Sequence, residues 1–351
     1  MQVEKNKIKP SLRSLETEEL AEMLAAMGEP RFRAAQIFKW AQQKAVSFDD
    51  MRNLPKTLRD KLADMFSLSG PQILRKQVSK QDGTIKYLWK LADGNSVESV
   101  IMQYEHGNTV CISSQVGCRM GCTFCASTIG GLIRQLEPSE MLEQVMFSQY
   151  DSGHRISNIV LMGIGEPLDN FENVMKFLRL VNHPDGMGIG MRHISLSTCG
   201  PADKVDKLGE YNLQLTLSVS LHAPDDETRS SLMPVNRAKG VDSLIDSCKK
   251  YFEKTGRRVS FEYAMIDGVN DTRRHAELLV MKLKGMGCHL NIIPLNEVAE
   301  SSFKPSKPEN IKAFISVLEK GGINTTVRRK LGGDIDASCG QLRRKLMGAQ
   351  L

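Results

Sequence analysis

The chain of 351 residues contains no run of about 20 apolar residues, which is what a membrane-spanning helix requires. Lys5, Lys7 and Lys9 near its start have no apolar stretch behind them, so no secretory signal is read there and the cytoplasm is the expected location. No internal repeat and no low-complexity segment is found. Cysteine is scarce: eight residues without an export signal do not make a disulfide framework and point to a reducing compartment. Charge of one sign is also not in large excess, since a formal net charge of +6 permits a polyanionic partner without demanding one. With 41% hydrophobic and 25% charged residues, what remains is a globular protein with one large domain and a smaller one.

The first part reads as helical. Thr17 serves as an N-cap ahead of Leu20, Met23, Leu24 and Met27; a second helix follows Arg31, and a third starts at Pro55. Ile85–Leu91 and Val97–Met102 then alternate as strands around the turn Asp93-Gly94-Asn95, which predicts a hairpin. Beyond it, apolar strand-like runs at 109–114, 156–162, 193–198, 214–220, 258–265, 289–294 and 323–327 are separated by helical runs. That alternation predicts an α/β fold, a partial, open barrel of six βα units, because a full eight-unit barrel needs roughly 250 residues.

Residues 118–125 place Cys118, Cys122 and Cys125 in a CxxxCxxC spacing between Gly117 and a short polar stretch. Three thiolates in one loop fit an iron–sulfur cluster with one open metal position, a zinc site completed by His106 or Cys111, or three buried core thiols. In βα barrels the site lies at the C-terminal ends of the strands, and the other unusual segments fall there too. They are Gly163-Ile164-Gly165-Glu166-Pro167, Ser197-Thr198-Cys199-Gly200, Ser220-Leu221-His222-Ala223-Pro224 and Asn296. Singly, each is as well explained by a turn, a helix cap or a core histidine. On one rim, two glycines admit a ligand to the backbone, Glu166 suits an ammonium, and Ser197, Ser220 and Asn296 suit a ribose or carboxylate. A ligand with those groups beside an open iron is S-adenosylmethionine (SAM).

The CxxxCxxC loop resembles the cluster loop of radical SAM enzymes. With Gly-Glu166-Pro167, Ser220-Leu221-His222 and the segment 333–342 around Cys339, nearly the whole chain resembles the RlmN/Cfr family of RNA methyltransferases. The resemblance implies a radical SAM barrel over 104–338, preceded by a helical accessory RNA-binding domain (1–72) and a β-hairpin extension (73–103) and followed by a C-terminal segment (339–351). It implies a [4Fe–4S] cluster held by Cys118, Cys122 and Cys125. Contacts to SAM come from Gly165, Glu166, Ser197, Ser220, Leu221, His222 and Asn296, with two SAM molecules used per turnover. Cys339 would become S-methylcysteine and bond to the RNA, Cys111 would resolve that adduct through a transient disulfide with Cys339, and Glu98 would accept a proton.

The implied substrates are an adenine of 23S ribosomal RNA and one of transfer RNA, methylated at carbon 2. Pro167 favours that outcome over the C8 methylation of the Cfr branch; the remaining alternative is a non-catalytic, metal-stabilised RNA-binding protein. A monomer and a flavodoxin-type electron donor are expected. Cys199, Cys248 and Cys288 match no family role. The basic tail, Arg328-Arg329-Lys330 and Arg343-Arg344-Lys345, is a solvated face on charge alone and a phosphate-binding surface in the family context.

Overall fold

The computed structural model describes residues 8–43, 45–296, 302–329, 331–335 and 337; Cys339 and the basic residues 330 and 343–345 lie outside them. Helices α1 (Thr17–Ala26), α2 (Arg33–Gln43) and α3 (Lys56–Met65) open the chain. Glu16, rather than Thr17, caps α1: it forms a reciprocal capping box with Glu19, whose carboxylate accepts from the Glu16 N–H at 2.7 Å. The carboxylate reaches the free N–H groups and the positive helix end better than the adjacent threonine, which becomes the first helical residue.

The strands β1 (Gln72–Val78), β2 (Ile85–Lys90), β3 (Ser96–Tyr104) and β4 (Gly107–Cys111) follow. They pair antiparallel in order, so the expected hairpin is the middle of a four-stranded meander. The turn at Gly94 adopts φ +86°, where glycine is favoured. A two-stranded ribbon, β5 (Gln115–Gly117) and β6 (Leu132–Gln135), brackets the cysteine loop.

Six βα units then run from β4. Their helices and strands are α4 (Pro138–Ser152), β7 (Ile156–Leu161), α5 (Phe171–Asn182), β8 (Ile194–Thr198), α6 (Ala202–Glu210) and β9 (Thr216–Ser220). After these come α7 (Asp226–Leu232), α8 (Gly240–Thr255), β10 (Val259–Met265), α9 (Arg273–Leu283), β11 (Cys288–Pro294), α10 (Pro308–Lys320) and β12 (Thr325–Val327). From β4 to β12 the neighbours are parallel, and the sheet order is β1-β2-β3-β4-β7-β8-β9-β10-β11-β12. Its two edges, β1 and β12, do not pair, so the barrel is open. Leu196, Leu217, Val219, Phe261 and Leu290 on the parallel strands are fully buried, because helices cover the sheet.

The helical module keeps its own apolar cluster around Leu24, Ile37, Phe38, Leu58 and Leu62, into which α5 inserts Leu180. Arg13 is the rivet: wholly buried, it donates to the carbonyls of Ala41, Ala45 and Leu68 and to Glu143 Oε1 on α4 at 3.1 Å. Every hydrogen bond that a buried guanidinium needs is thereby supplied by the seam between module and barrel. Two outer ion pairs, Glu19–Lys176 and Glu16–Arg179, lie on the same seam.

Candidate active site

The strand ends converge on a cavity of about 750 Å3, a volume suited to a nucleoside-sized ligand. Cys118, Cys122 and Cys125 line it, together with Cys111, Glu98, Gly165, Glu166, Ser197, Ser220, His222 and Asn296. Leu221 does not: its side chain is fully buried, its N–H donates to Glu262 O, and its carbonyl accepts from Arg229 Nε and Ala223 N. Its backbone is thus committed to the protein.

The cysteine loop is shaped by its own backbone. Cys118 N–H donates to Gly131 O at the β5–β6 ribbon, Cys125 N–H to Cys122 O, and the Thr128 hydroxyl reaches the carbonyls of Cys122 and Cys125. Thr123 N–H donates to Leu232 O at the end of α7, tying the loop to the rim. Burial pushes the Cys118 thiol up to about 11, with the neighbouring Cys125 adding to it, and raises Cys122 as well. Three adjacent buried thiolates therefore require cationic metal to exist. Among the described residues no three His, Cys, Asp or Glu side chains converge on a single ion, whereas the cysteines of a cubane each ligate a different iron. The donor set fits a cluster better than a mononuclear zinc site. His106 stacks on Tyr104 and is not among the lining residues.

Gly163 and Gly165 have a different reason from ligand access. A Cβ on Gly163 would meet Ile112 O at 2.6 Å; Gly165, at φ +110°, would place one 2.6 Å from Gln115 Cβ. The loop after β7 is thereby pressed onto the chain that leads into the cysteines, and Gln115 Oε1 accepts from Glu166 N–H at 2.8 Å.

Glu166 is buried and accepts from Leu168 N–H, Thr198 Oγ1 and Cys199 N–H at 2.7–2.9 Å. Burial raises its pKa and these donors oppose the rise. The bonds aim the carboxylate and leave it acceptor capacity towards the cavity, as an ammonium ligand requires.

His222 sits at φ +56°, a left-handed conformation uncommon outside glycine. Its Nδ1 accepts from Ala264 N–H at 2.8 Å, its carbonyl accepts from Asn270 Nδ2 at 2.7 Å, and its ring meets Phe124 edge-on. With Nδ1 an acceptor, the neutral ring carries its proton on Nε2. Burial, reinforced by Arg229, depresses its pKa to about 3. Between that value and the ordinary 6.5 the unfolded chain binds the extra proton, so stability is full above pH 6.5 and falls as pH drops. The expected contribution is about 1.4 kcal/mol per pH unit. Urea titrations between about pH 7 and pH 5 should show this slope shrink in His222→Gln, and an unchanged slope would refute it.

Several anchoring residues carry no sequence signature. Arg229 donates to the carbonyls of Cys199, Ser220 and Leu221 and to Asn236 Oδ1. Ser113 donates to Glu98 O and accepts from Ile164 N–H, and Asn270 bridges His222 and Ala264. Glu262, a lone carboxylate in an apolar strand, lines the cavity and accepts from Asn291; its isolation among Phe261 and Tyr263 was a usable signal. Cys199 lines the cavity, while Cys248 and Cys288 are buried core residues away from it.

Among the described residues no helix is long and apolar enough to cross a membrane. Residues 112–279 match the radical SAM superfamily model, and residues 11–68 match the ribosomal RNA large subunit methyltransferase N-terminal domain. The probable dual-specificity RNA methyltransferase RlmN of Clostridium tetani is 50% identical, covering 95% of this chain and 96% of that protein. Its namesake from Desulforamulus reducens is 51% identical over 97% of both. The crystal structure of a radical SAM methyltransferase from Sphaerobacter thermophilus is 45% identical, with a TM-score of 0.89 over 95% of this chain and 98% of that one. Half of all positions shared from end to end, across the helical module and the cysteine-bearing barrel alike, place the chain in the RlmN family of dual-specificity radical SAM RNA methyltransferases, which implies a [4Fe–4S] cluster and SAM at this site.

Proposed function

We propose that the chain methylates carbon 2 of an adenine in 23S ribosomal RNA and in transfer RNA, through a methyl group carried on Cys339. The carrying observation is that Cys111 and Glu98, on adjacent strands β4 and β3, line the same cavity as the three loop cysteines. Ala337, two residues before Cys339, lines it as well. A site that only cleaved SAM would have no use for a cysteine and a carboxylate on the opposite wall.

Cys118, Cys122 and Cys125 would hold the cluster, which supplies the electron that splits SAM into methionine and a 5′-deoxyadenosyl radical. Glu166 would orient the ammonium of SAM, Ser197, Ser220 and Asn296 its hydroxyl and carboxylate groups, and Gly165 its approach. Two SAM molecules are consumed, one methylating the Cys339 sulfur and the other generating the radical. Adenine C2 lies between two ring nitrogens and is electron-poor, so a nucleophilic route to an ordinary methyl donor is closed; a carbon radical on the Cys339 methyl can add to it. Glu98 would take the C2 proton, with buried Lys86 3.5 Å away pairing its charge. Attack of the Cys111 thiolate on the Cys339 sulfur would then break its bond to the adduct carbon, leaving methylated adenine and a disulfide.

The helical module of residues 1–72 and the basic residues Arg328 and Arg329 would hold phosphates while the base is turned out of its stack. The test is anaerobic reconstitution followed by incubation with SAM, reductant and an RNA fragment, with nucleosides analysed by mass spectrometry. 2-Methyladenosine is expected. 8-Methyladenosine, or a colourless protein that releases no 5′-deoxyadenosine, would overturn the reading.

A further inference from the structure

The turn between β1 and β2 is bonded to the segment that leads to Cys339. Ser79 Oγ donates to Asp334 Oδ1 at 2.7 Å, and Lys80 N–H donates to Asp334 Oδ2 at 3.0 Å. In the opposite direction, Gly332 N–H donates to Asp82 Oδ2 at 2.7 Å, while Asp82 Oδ1 accepts from Thr84 N–H. Ser79 Oγ also accepts from the N–H groups of Gln81 and Asp82, so the turn is set to receive its partner.

The segment folds back at Gly332, at φ +62°: Ile335 and Ala337 N–H both donate to its carbonyl, and a Cβ there would meet Ala337 Cβ at 2.5 Å. Thr84, Gly332, Gly333 and Ala337 all line the active-site cavity, so turn and segment form one wall. Burial, which would raise the Asp82 pKa, is overcome by the N–H groups of Gly332 and Thr84, and the carboxyl is held at about 2; the contact is thus intact at neutral pH.

We propose that Ser79, Asp82 and Asp334 are positioning residues that clasp the C-terminal segment and hold the Cys339 methyl group over the cavity. The inference rests on the reading of Cys339 given above. Cys339 follows Asp334 by five residues, so the clasp confines its sulfur to within about 18 Å of the turn. Confinement raises the effective concentration of the methyl group at the radical, without the clasp itself touching any reacting atom. Losing it should let the radical form and expire before it meets the methyl.

The test counts methylated RNA formed per 5′-deoxyadenosine, normalised to S-methylcysteine occupancy from intact mass. Ser79→Ala and Asp334→Ala should lower this ratio about three- to tenfold, the effect of one or two exposed hydrogen bonds, with the RNA-free rate of 5′-deoxyadenosine release within about twofold. Asp334→Asn keeps an acceptor for one donor and should fall between. In both alanine variants, amide exchange at Lys80 or Gly332 should quicken. An unchanged ratio, or a fall in both products together, would overturn the clasp. Cys339→Ala is the separate control: if it still methylates RNA, the reading of Cys339 fails, whatever the clasp variants do.

Discussion

Replacing Cys118, Cys122 or Cys125 by alanine is expected to strip iron and sulfide from the reconstituted protein and to lower 5′-deoxyadenosine formation by at least about a thousandfold, since the electron then has no source. The expectation follows from burial as much as from spacing. Each cysteine belongs to one loop whose carbonyls are fixed by Thr128 and whose ends are clamped by the β5–β6 ribbon, so no other thiol can swing in. Cys199 is the nearest substitute by location, but its backbone is committed to Glu166 and Arg229. Iron and sulfide analysis with visible absorption checks the first half, and chromatography of SAM products the second. Retention of a four-iron cluster by any single variant would contradict the assignment of that cysteine. The fold should survive in all three, because the core of the parallel sheet lies beneath the loop.

Cys111→Ala is expected to give a different failure. Radical formation and attachment to RNA should proceed, but resolution should not, so protein joined to RNA through Cys339 accumulates and free methylated RNA falls by about two orders of magnitude or more. Cys111 lies at the end of β4, registered against Val100 on β3 and Val160 on β7, so alanine is accommodated without disturbing the strand. A shifted band on a denaturing gel that nuclease removes is the readout. The double variant Cys111→Ala with Cys339→Ala should show no such band. A single variant that turns over at the normal rate would remove Cys111 from the reaction.

The barrel was legible because its parts obey simple periodicities. Strands covered on both faces read as short apolar runs, and the helices between them carry one apolar stripe each. What escaped reading was weakly patterned for physical reasons. β1 is an edge strand, almost wholly exposed, and its Gln-Ile-Leu-Arg-Lys-Gln-Val sequence has no buried face to record. β5 and β6 are three and four residues long, and α7 is a seven-residue helix started by its Asp225 cap. The cysteine loop was legible because metal ligands impose spacing. Ser113, Arg229 and Asn270 were not, because each bonds to the backbone, which leaves no trace in the identity of its partners. Gly163 and Gly165 were noticed for the right location and given the wrong cause, since the space they spare belongs to Ile112 and Gln115.

The single guanidinium of Arg229 joins the loop after β8 to the loop after β9 through four neutral oxygens. Opening either loop alone would leave a buried cation facing carbonyls that no longer converge on it, which costs more than opening both together. The rim consequently behaves as one cooperative unit rather than as independent flaps. Thermal fluctuation reaches the chemistry as an all-or-none event, and the pocket for SAM is either whole or absent.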